Sequence, residues 1–323
     1  MKKILIILLL FLHAGLFAQV EQMILPTDLK QQTIITEPST LRKGFFRASA
    51  TAYNSLVDKM FNEDGKRIHY QGSNGWAKSW TYNLSVSYGI NDRLQVGINI
   101  PYASEKIYYS TLNIVPLIDS SYLEYLKVKG QGLGDIDMGV DFQLLYKNEG
   151  KTSLKMQFIS TFPTGRKNPG NIQGSGEFEK APGSGYYSLD TRLVFRKIMY
   201  PYSLSAYASY KYNFRGSKIF YPGEMEASFK SGDMFYVGGS FNVHLNEWIA
   251  LMNEIAFNTW SDDQYFDYNH TGVNLTGRYA LIYQPSLVFQ VRRFRFFEII
   301  TFPLAGKNTG ADPGYIFALQ YTF

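Results

Sequence analysis

Trp80-Thr81-Tyr82-Asn83-Leu84-Ser85-Val86-Ser87-Tyr88-Gly89-Ile90 decides the fold. Large apolar residues hold every even position, and small or polar ones fill the odd positions. Successive side chains of a strand point to opposite sides, so this period of two describes a strand with one apolar and one polar face. After Asn91-Asp92 the pattern resumes, with Leu94, Val96, Ile98, Ile100 and Tyr102 against Gln95, Gly97 and Asn99. Two such runs across a short Asn-Asp turn make a β-hairpin.

The same arrangement recurs along the chain. Ile136, Met138, Val140, Phe142, Leu144 and Tyr146 alternate with polar residues, and Leu154, Met156, Phe158 and Phe162 follow a turn near 147–151. Further runs are Tyr187 to Phe195, Tyr202 to Phe214, Phe235 to Val243, Ile249 to Phe257, Leu281 to Val291 and Tyr315 to Phe323. Asn253 interrupts one apolar face, Pro285 lies on another, and the phase slips at Arg292-Arg293. With strands near Phe45 to Tyr53 and Phe294 to Phe302, about twelve result, each of about ten residues, enough to cross a bilayer when tilted. Short connections fall near 91–93, 147–151, 197–201, 245–247 and 292–293, and long ones near 54–75, 103–133, 163–185, 215–232, 260–277 and 304–313. This alternation predicts an all-β, antiparallel, up-and-down transmembrane β-barrel with short periplasmic turns and long outer loops.

Composition agrees. The 323 residues contain no cysteine, 25 Tyr, 24 Phe and 18 % charged residues, with a mean hydropathy of −0.18. Beyond residue 18 no apolar run approaches the ~20 residues of a membrane-spanning helix. Met1-Lys2-Lys3, the apolar Ile4–Leu12 and Leu16-Phe17-Ala18 before Gln19 have the three parts of a secretory signal peptide. The expected organisation is therefore a signal peptide at 1–18, a polar periplasmic lead-in at 19–42 and the barrel at 43–323. Without cysteine there is no lipid anchor, disulfide or zinc-thiolate site, and neither a metal nor another cofactor is implied. The formal charge of +5 falls by two when Lys2 and Lys3 leave with the signal, too little to suggest nucleic acid as a partner.

A soluble β-sandwich or lipocalin-like barrel would also alternate. Two features favour the membrane. Aromatics gather at strand ends (Trp76, Trp80, Tyr102, Tyr187, Tyr202, Phe214, Trp248, Trp260), as in interfacial girdles. The chain closes on an alternating strand ending in Phe323, resembling the signal read by the barrel-assembly machinery. The expected location is the outer membrane of a Gram-negative-type bacterium, in contact with outer-membrane lipid and lipopolysaccharide.

Gly132-Leu133-Gly134-Asp135 opens one strand, Phe162-Pro163-Thr164-Gly165 closes the next, and Phe302-Pro303-Leu304-Ala305-Gly306-Lys307-Asn308 precedes the terminal Tyr321-Thr322-Phe323. Together these resemble the family of outer-membrane barrels named for the meta pathway of phenol degradation, over most of residues 80–323. The resemblance implies a transporter-like barrel and a link to aromatic compounds. Physically, Pro163, Pro303 and Pro101 of Ile100-Pro101-Tyr102 are expected where a rising strand leaves the sheet and a missing backbone donor costs little. The Lys or Arg that follows is expected at headgroup height, as an interfacial cation or part of a basic ring on lipopolysaccharide phosphates.

If the apolar set faces lipid, the alternate set faces the lumen. Its charged members are Arg47, Asp135, Asp137, Asp141, Lys155, Asp190, Arg192, Arg196, Lys211, Glu254 and Arg278, beside polar residues such as Ser49, Thr51, Asn83, Gln95, Asn99, Gln157 and Gln290. Two readings stay open: a structural network of paired charges, and a polar constriction that selects permeants. Asp135, Asp137 and Asp141 suggest calcium by spacing, but ion pairing with Arg192, Arg196 and Lys211 is the expected arrangement. His69, His244 and His270 sit in no nucleophile motif, although His69 or His270 with Asp262-Asp263 would allow a loop site. The loop near 103–130, rich in Tyr, Ile and Leu, is expected to fold over the mouth or into the lumen, and the Gly/Pro/Ser-rich 163–185 loop to be mobile. The implied function is passive passage or uptake of a small solute, hydrophobic or aromatic by family resemblance. A plugged structural or adhesive barrel is the alternative and a membrane hydrolase the third option; no catalytic residue is assigned.

Overall fold

A computed structural model describes residues 40–70, 75–109, 126–147, 151–170, 178–219, 225–246, 248–266 and 277–323. The expected signal peptide, nearly all of the lead-in, the centre of the second loop and His270 lie outside the described residues. Twelve strands form the wall: β1 (Phe46–Val57), β2 (Trp76–Asn91), β3 (Leu94–Tyr109), β4 (Ile136–Lys147), β5 (Thr152–Phe162) and β6 (Ser188–Met199), then β7 (Tyr202–Asn213), β8 (Met234–His244), β9 (Ile249–Trp260), β10 (Arg278–Val291), β11 (Phe294–Lys307) and β12 (Gly314–Thr322). Each pairs antiparallel with its neighbours in sequence, and β1 pairs with both β2 and β12 (Arg47 opposite Ser87 and Thr322), which closes the circuit. The barrel is the fold that the alternation predicts, and closure removes every free edge.

Burial separates the two faces. Leu84, Leu144, Leu193, Ile255 and Leu319 stand exposed on the outside, while Ser85, Gln143, Arg196, Glu254 and Gln320 are buried inside. At the periplasmic end aromatic rings bind neighbouring strands into a belt. Phe46 lies 4.5 Å from Tyr88, Phe294 lies 4.5 Å from Tyr321, and Phe323 stacks on Phe46 at 5.7 Å. The last residue is thus held by its ring and by its backbone, which exchanges hydrogen bonds with Phe46 across the closing seam.

Strands extend beyond the span that apolar alternation marks. The β2 and β3 pair runs 16 residues on each side, and Leu126–Leu133 continues the line of β4 along β3, with Val128 opposite Ile107. Residues 103–109 and 126–130 therefore belong to the wall, so the stretch expected to fold over the mouth or into the lumen shrinks to 110–125, which lies outside the described residues. Ala103-Ser104-Glu105-Lys106 carries no apolar face, so the pattern hid the strand; backbone pairing above the bilayer needs none. Pro101 and Pro303 also lie within β3 and β11 rather than at strand exits. Their position is tolerated because the ladder is irregular there: Gly134 N donates to Pro101 O at 2.8 Å, and the β10–β11 register shifts between Leu281 and Ile282.

Above the span, Lys59–Phe61 pairs with Arg67–His69 and with Thr309–Gly310. Asp312 Oδ2 accepts from the amides of Asp58 and Lys59 at 2.8 and 2.7 Å, and Oδ1 accepts from Arg67 at 3.2 Å. The Asp58 and Asp312 carboxyls interact with each other through a side-chain hydrogen bond. Asp58 is raised from its ordinary value by its hydrogen bond to Asp312, by burial and by the Asp312 charge. Burial pushes Asp312 up, but the Asp58 hydrogen bond, both amides and Arg67 outweigh it and leave it lowered. Asp312 thus stabilises the rim above the unfolded aspartate value, about 3.9, and this is lost as pH falls through its folded value. Asp58 contributes below that unfolded value, and its contribution is lost as pH rises through its raised folded value. Hydrogen-exchange protection of 59–69 should peak in the mildly acid window between the two and fall towards neutrality. Asp58→Asn, a permanent donor, should remove the neutral-side fall; an unchanged profile would show that the two carboxyls do not interact.

Candidate functional site in the lumen

The side chains facing inward are set by register. Gln95, Asp141 and Gln157 are cross-strand neighbours on β3, β4 and β5, and all are buried. Asp141 Oδ2 accepts from Lys155 Nζ at 2.9 Å and Gln95 Nε2 at 3.2 Å, and Oδ1 accepts from Gln157 Nε2 at 3.0 Å. Lys155 is 0 % exposed, so this is an ion pair removed from water, with its carboxylate satisfied by neutral donors as such burial requires.

The remaining expected charges divide by height. Asp190 on β6 accepts from Arg192 Nη2 at 2.7 Å and from Ser209 Oγ. Asp137 accepts from Thr161 Oγ1 at 2.7 Å and Asn99 Nδ2 at 3.1 Å. Glu254 on β9 accepts from Tyr207 Oη at 2.8 Å, and that ring lies over Gly238, where an added Cβ would stand 2.6 Å from it. Arg278 lies 3.9 Å from Asp263 and 5.8 Å from the Trp260 ring near the outer mouth. Lys211 faces inward, half-buried, opposite Asp190 and Met234. Arg196 on β6 and Arg47 on β1 are buried near the periplasmic end, where Arg47 Nε donates to Thr322 Oγ1 at 3.2 Å.

Two expectations are corrected here. The expected pairing of the 135–141 carboxylates with Arg192 and Lys211 gives way to nearer partners: Asp141 takes Lys155, Asp137 takes neutral donors, and Arg192 is held by Asp190. No metal-binding group occurs among the described residues. Asp135 instead engages the 163–185 connection. Its Oδ1 accepts from Gly165 N at 3.0 Å, and its Oδ2 from Ser184 N at 2.7 Å and Ser184 Oγ at 2.5 Å. A side chain at Gly165 would strike Gly134, Gly183 and Leu133 at 2.9 Å. Gly134-Asp135 and Thr164-Gly165 thus form one clasp, with Ile136 N donating to Thr164 Oγ1 at 3.0 Å. The clasp ties down the described parts of the 163–185 connection, with Arg166–Glu179 and Lys167–Glu226 ion pairs beside it. Asp262 and Asp263 likewise accept from backbone amides of Gly277 and Gly232, serving loop structure.

Pattern reading missed one cation and an apolar wall. Arg295 is buried on the inner face of β11, with Nε donating to Gln290 Oε1 at 3.2 Å and Nη1 to Gln320 Oε1 at 3.3 Å. Above it on the inner face, Phe297, Ile299, Ile316, Val288, Met252 and Ala250 form a buried cluster against which Tyr53 and Ala318 pack. The lumen therefore carries a buried apolar cluster on β9–β12 besides the charged groups of β4–β7. Its upper part mixes half-buried Thr51, Asn83, Asp137, Arg192 and Tyr236 with buried Asp190, Ser209, Asn213 and Asn258, while Lys155, Gln157, Arg47, Arg295 and Asn242 are buried towards its base. The lead-in enters at this base: Leu41 N donates to Gln95 Oε1 at 2.8 Å and Thr40 N to Gln143 Oε1 at 3.0 Å. Gly89 leaves room for that backbone, since a Cβ there would lie 2.1 Å from Arg42 O.

The crystal structure of an outer membrane channel from Pseudomonas putida F1 matches with a TM-score of 0.68 at 13 % identity, covering 90 % of this chain and 100 % of that one. The chain has the fold of an outer-membrane β-barrel. Weaker likenesses are the translocator domain of the autotransporter NalP from Neisseria meningitidis (TM-score 0.47, 7 % identity, 87 % and 89 % covered) and the KdgM porin (0.43, 8 %, 85 % and 99 %). No family model matches the chain.

Proposed function

We propose that the barrel is a channel or transporter for passive passage of small solutes, hydrophobic or aromatic ones among them, across the outer membrane. The observation that carries this reading is the inner wall: a polar lumen, in part only half-buried, leads down to a base of buried long side chains, chiefly Arg47, Arg196 and Arg295. Such a ring sets width and charge without cofactor chemistry. The similar barrel from Pseudomonas putida F1 is itself called an outer membrane channel, which supports the reading. The outer face would sit among lipid and lipopolysaccharide, and Phe323 would be the residue read by the assembly machinery. The buried base favours one second reading, a plugged structural barrel.

Planar-bilayer recording on refolded protein separates the two. Passage predicts discrete conductance steps that enlarge in Arg47→Ala/Arg295→Ala, where two long side chains leave the base. Silence from both forms, with folding verified by heat-modifiable gel mobility, would overturn the open channel and favour a plugged barrel or a route for hydrophobic solutes that carries no ions.

A further inference from the structure

Three lysines stand in a row on the outer face of the barrel. Lys78 of β2 lies directly opposite Lys106 of β3, and Lys106 lies directly opposite Lys129 of the strand Leu126–Leu133. Directly opposed residues share one face of a sheet, with Cβ atoms about 4.5–5.5 Å apart, and all three lysines are exposed. Parity puts the row outside. The exposed Leu84 and Tyr102 share its faces of β2 and β3, while Ile107 and Val128, one residue away, are buried. Like charges directly opposite one another weaken a sheet, so the row costs stability unless an anion bridges it. Beyond Lys78 on that face stands Leu56 of β1. The carboxyls of the adjoining segments are engaged elsewhere, Asp58 with Asp312, Glu105 with Lys180 and Glu179 with Arg166. Lys129 keeps contacts of its own, so Lys78 and Lys106 carry most of the argument.

Aromatic rings bracket the row. Trp80, two residues below Lys78, stacks on Tyr82 at 5.8 Å, and Trp76, two residues above, stacks on Tyr108 at 4.3 Å. Two residues span roughly 5 Å along the barrel axis at a tilt near 40°, which sets the ammonium groups just above the girdle residue Trp80, at headgroup height. Below them the same face continues as exposed Tyr82, Tyr102 and Leu133. A cationic row thus joins an apolar wall that meets the bilayer. We propose that Lys78, Lys106 and Lys129 form a docking site for a phosphate of the lipopolysaccharide lipid anchor, whose acyl chains lie along Tyr82, Tyr102 and Leu133. This inference rests on the outer-membrane location and is independent of passage through the lumen.

Titration of the refolded chain in zwitterionic micelles, read by tryptophan emission, tests it with lipid A, fully dephosphorylated lipid A and inorganic phosphate. Lipid A is expected to bind about tenfold or more tightly than its dephosphorylated form, and inorganic phosphate at the same concentration should not displace it. Lys78→Gln/Lys106→Gln should weaken lipid A about tenfold. Without lipid A the same variant should unfold at a urea midpoint no lower than wild type, because a repulsion has been removed. Lys147→Gln/Lys151→Gln loses as much charge from exposed positions at the periplasmic end and should bind like wild type. Equal affinity for the two lipid forms, or equal losses in the two double variants, overturns the proposal. Displacement by inorganic phosphate also overturns it, by showing an anion site that needs no lipid. A lower midpoint for Lys78→Gln/Lys106→Gln without lipid A does so too, since the lysines would then serve the sheet itself.

Discussion

Asp141→Leu is expected to lower the stability of the folded barrel by about 3–5 kcal/mol, read as a large drop in the urea midpoint of protein refolded in non-ionic detergent. The cause is what the substitution leaves behind. Lys155 is wholly buried, and Asp141 is the carboxylate that receives its Nζ. Gln95 and Gln157 would each lose the same acceptor. An ammonium and two amide donors would then remain without the oxygen atoms they now share, each donor costing about 1–3 kcal/mol and the charge more. The double variant Asp141→Leu/Lys155→Met removes charge of both signs and should recover most of the loss, because a buried ion pair contributes little net stability over apolar residues of similar size. The difference between the double variant and the summed single variants measures the coupling. A single variant that unfolds at the wild-type midpoint would show that Lys155 reaches water and that the lumen base is open.

That network shows how far sequence carries. Alternation places Asp141, Lys155, Gln95 and Gln157 on one inner face, since parity along a strand is fixed once the apolar side is known. Their pairing is invisible until register is set, because a shift of two residues keeps every side chain inside but changes each neighbour. Hence the expected partners of Asp141 on β6 and β7 gave way to Lys155 on β5. Asp135 was misplaced for another reason. Parity holds only within a strand, and the line breaks at Gly134-Asp135 between Leu126–Leu133 and β4, which frees its carboxylate for the Gly165 and Ser184 amides. The role of Gly165 is equally non-local, being set by the backbones of Gly134 and Gly183.

β11 marks the limit of the binary code. Phe294-Arg295-Phe296-Phe297-Glu298-Ile299 offers two contradictory phases, and the structure resolves them by pairing Arg295 with Gln320 and Glu298 with Phe317. Arg295, Phe297 and Ile299 therefore turn inward, while Phe294, Phe296 and Glu298 face out. An apolar inner wall and a charged outer position both break the rule that polar residues line the lumen, so parity counted from Phe294, rather than polarity, was the signal that would have located Arg295. The outer face makes a similar exception at Asn253, which lies opposite Pro285 and whose Oδ1 accepts from Tyr283 Oη at 2.6 Å. There the polar group has a partner on its own face.

Glu298 has none among the described residues, and Glu298→Leu is expected to raise stability by about 2 kcal/mol. Four residues separate it from the girdle residue Phe294. At about 3.4 Å per residue and a tilt near 40°, that places it roughly 10 Å into an apolar band about 25 Å tall. Its cross-strand neighbours on the outer face are Leu287 and Phe317, so the carboxylate projects among side chains that meet hydrocarbon. A carboxylate there loses hydration, and leucine would gain apolar contact with both neighbours. Glu298→Gln separates these contributions: retaining polarity without charge, it should recover only part of the gain. The measurement is the urea midpoint in bilayer-forming lipid, repeated in detergent micelles, whose deformable boundary lets water reach the wall and should shrink the effect. If leucine leaves the midpoint unchanged in lipid, position 298 lies at the height of the headgroups, and the membrane band on β11 must be moved towards Phe302. A loss of stability would mean instead that the carboxylate makes a contact the isolated barrel lacks.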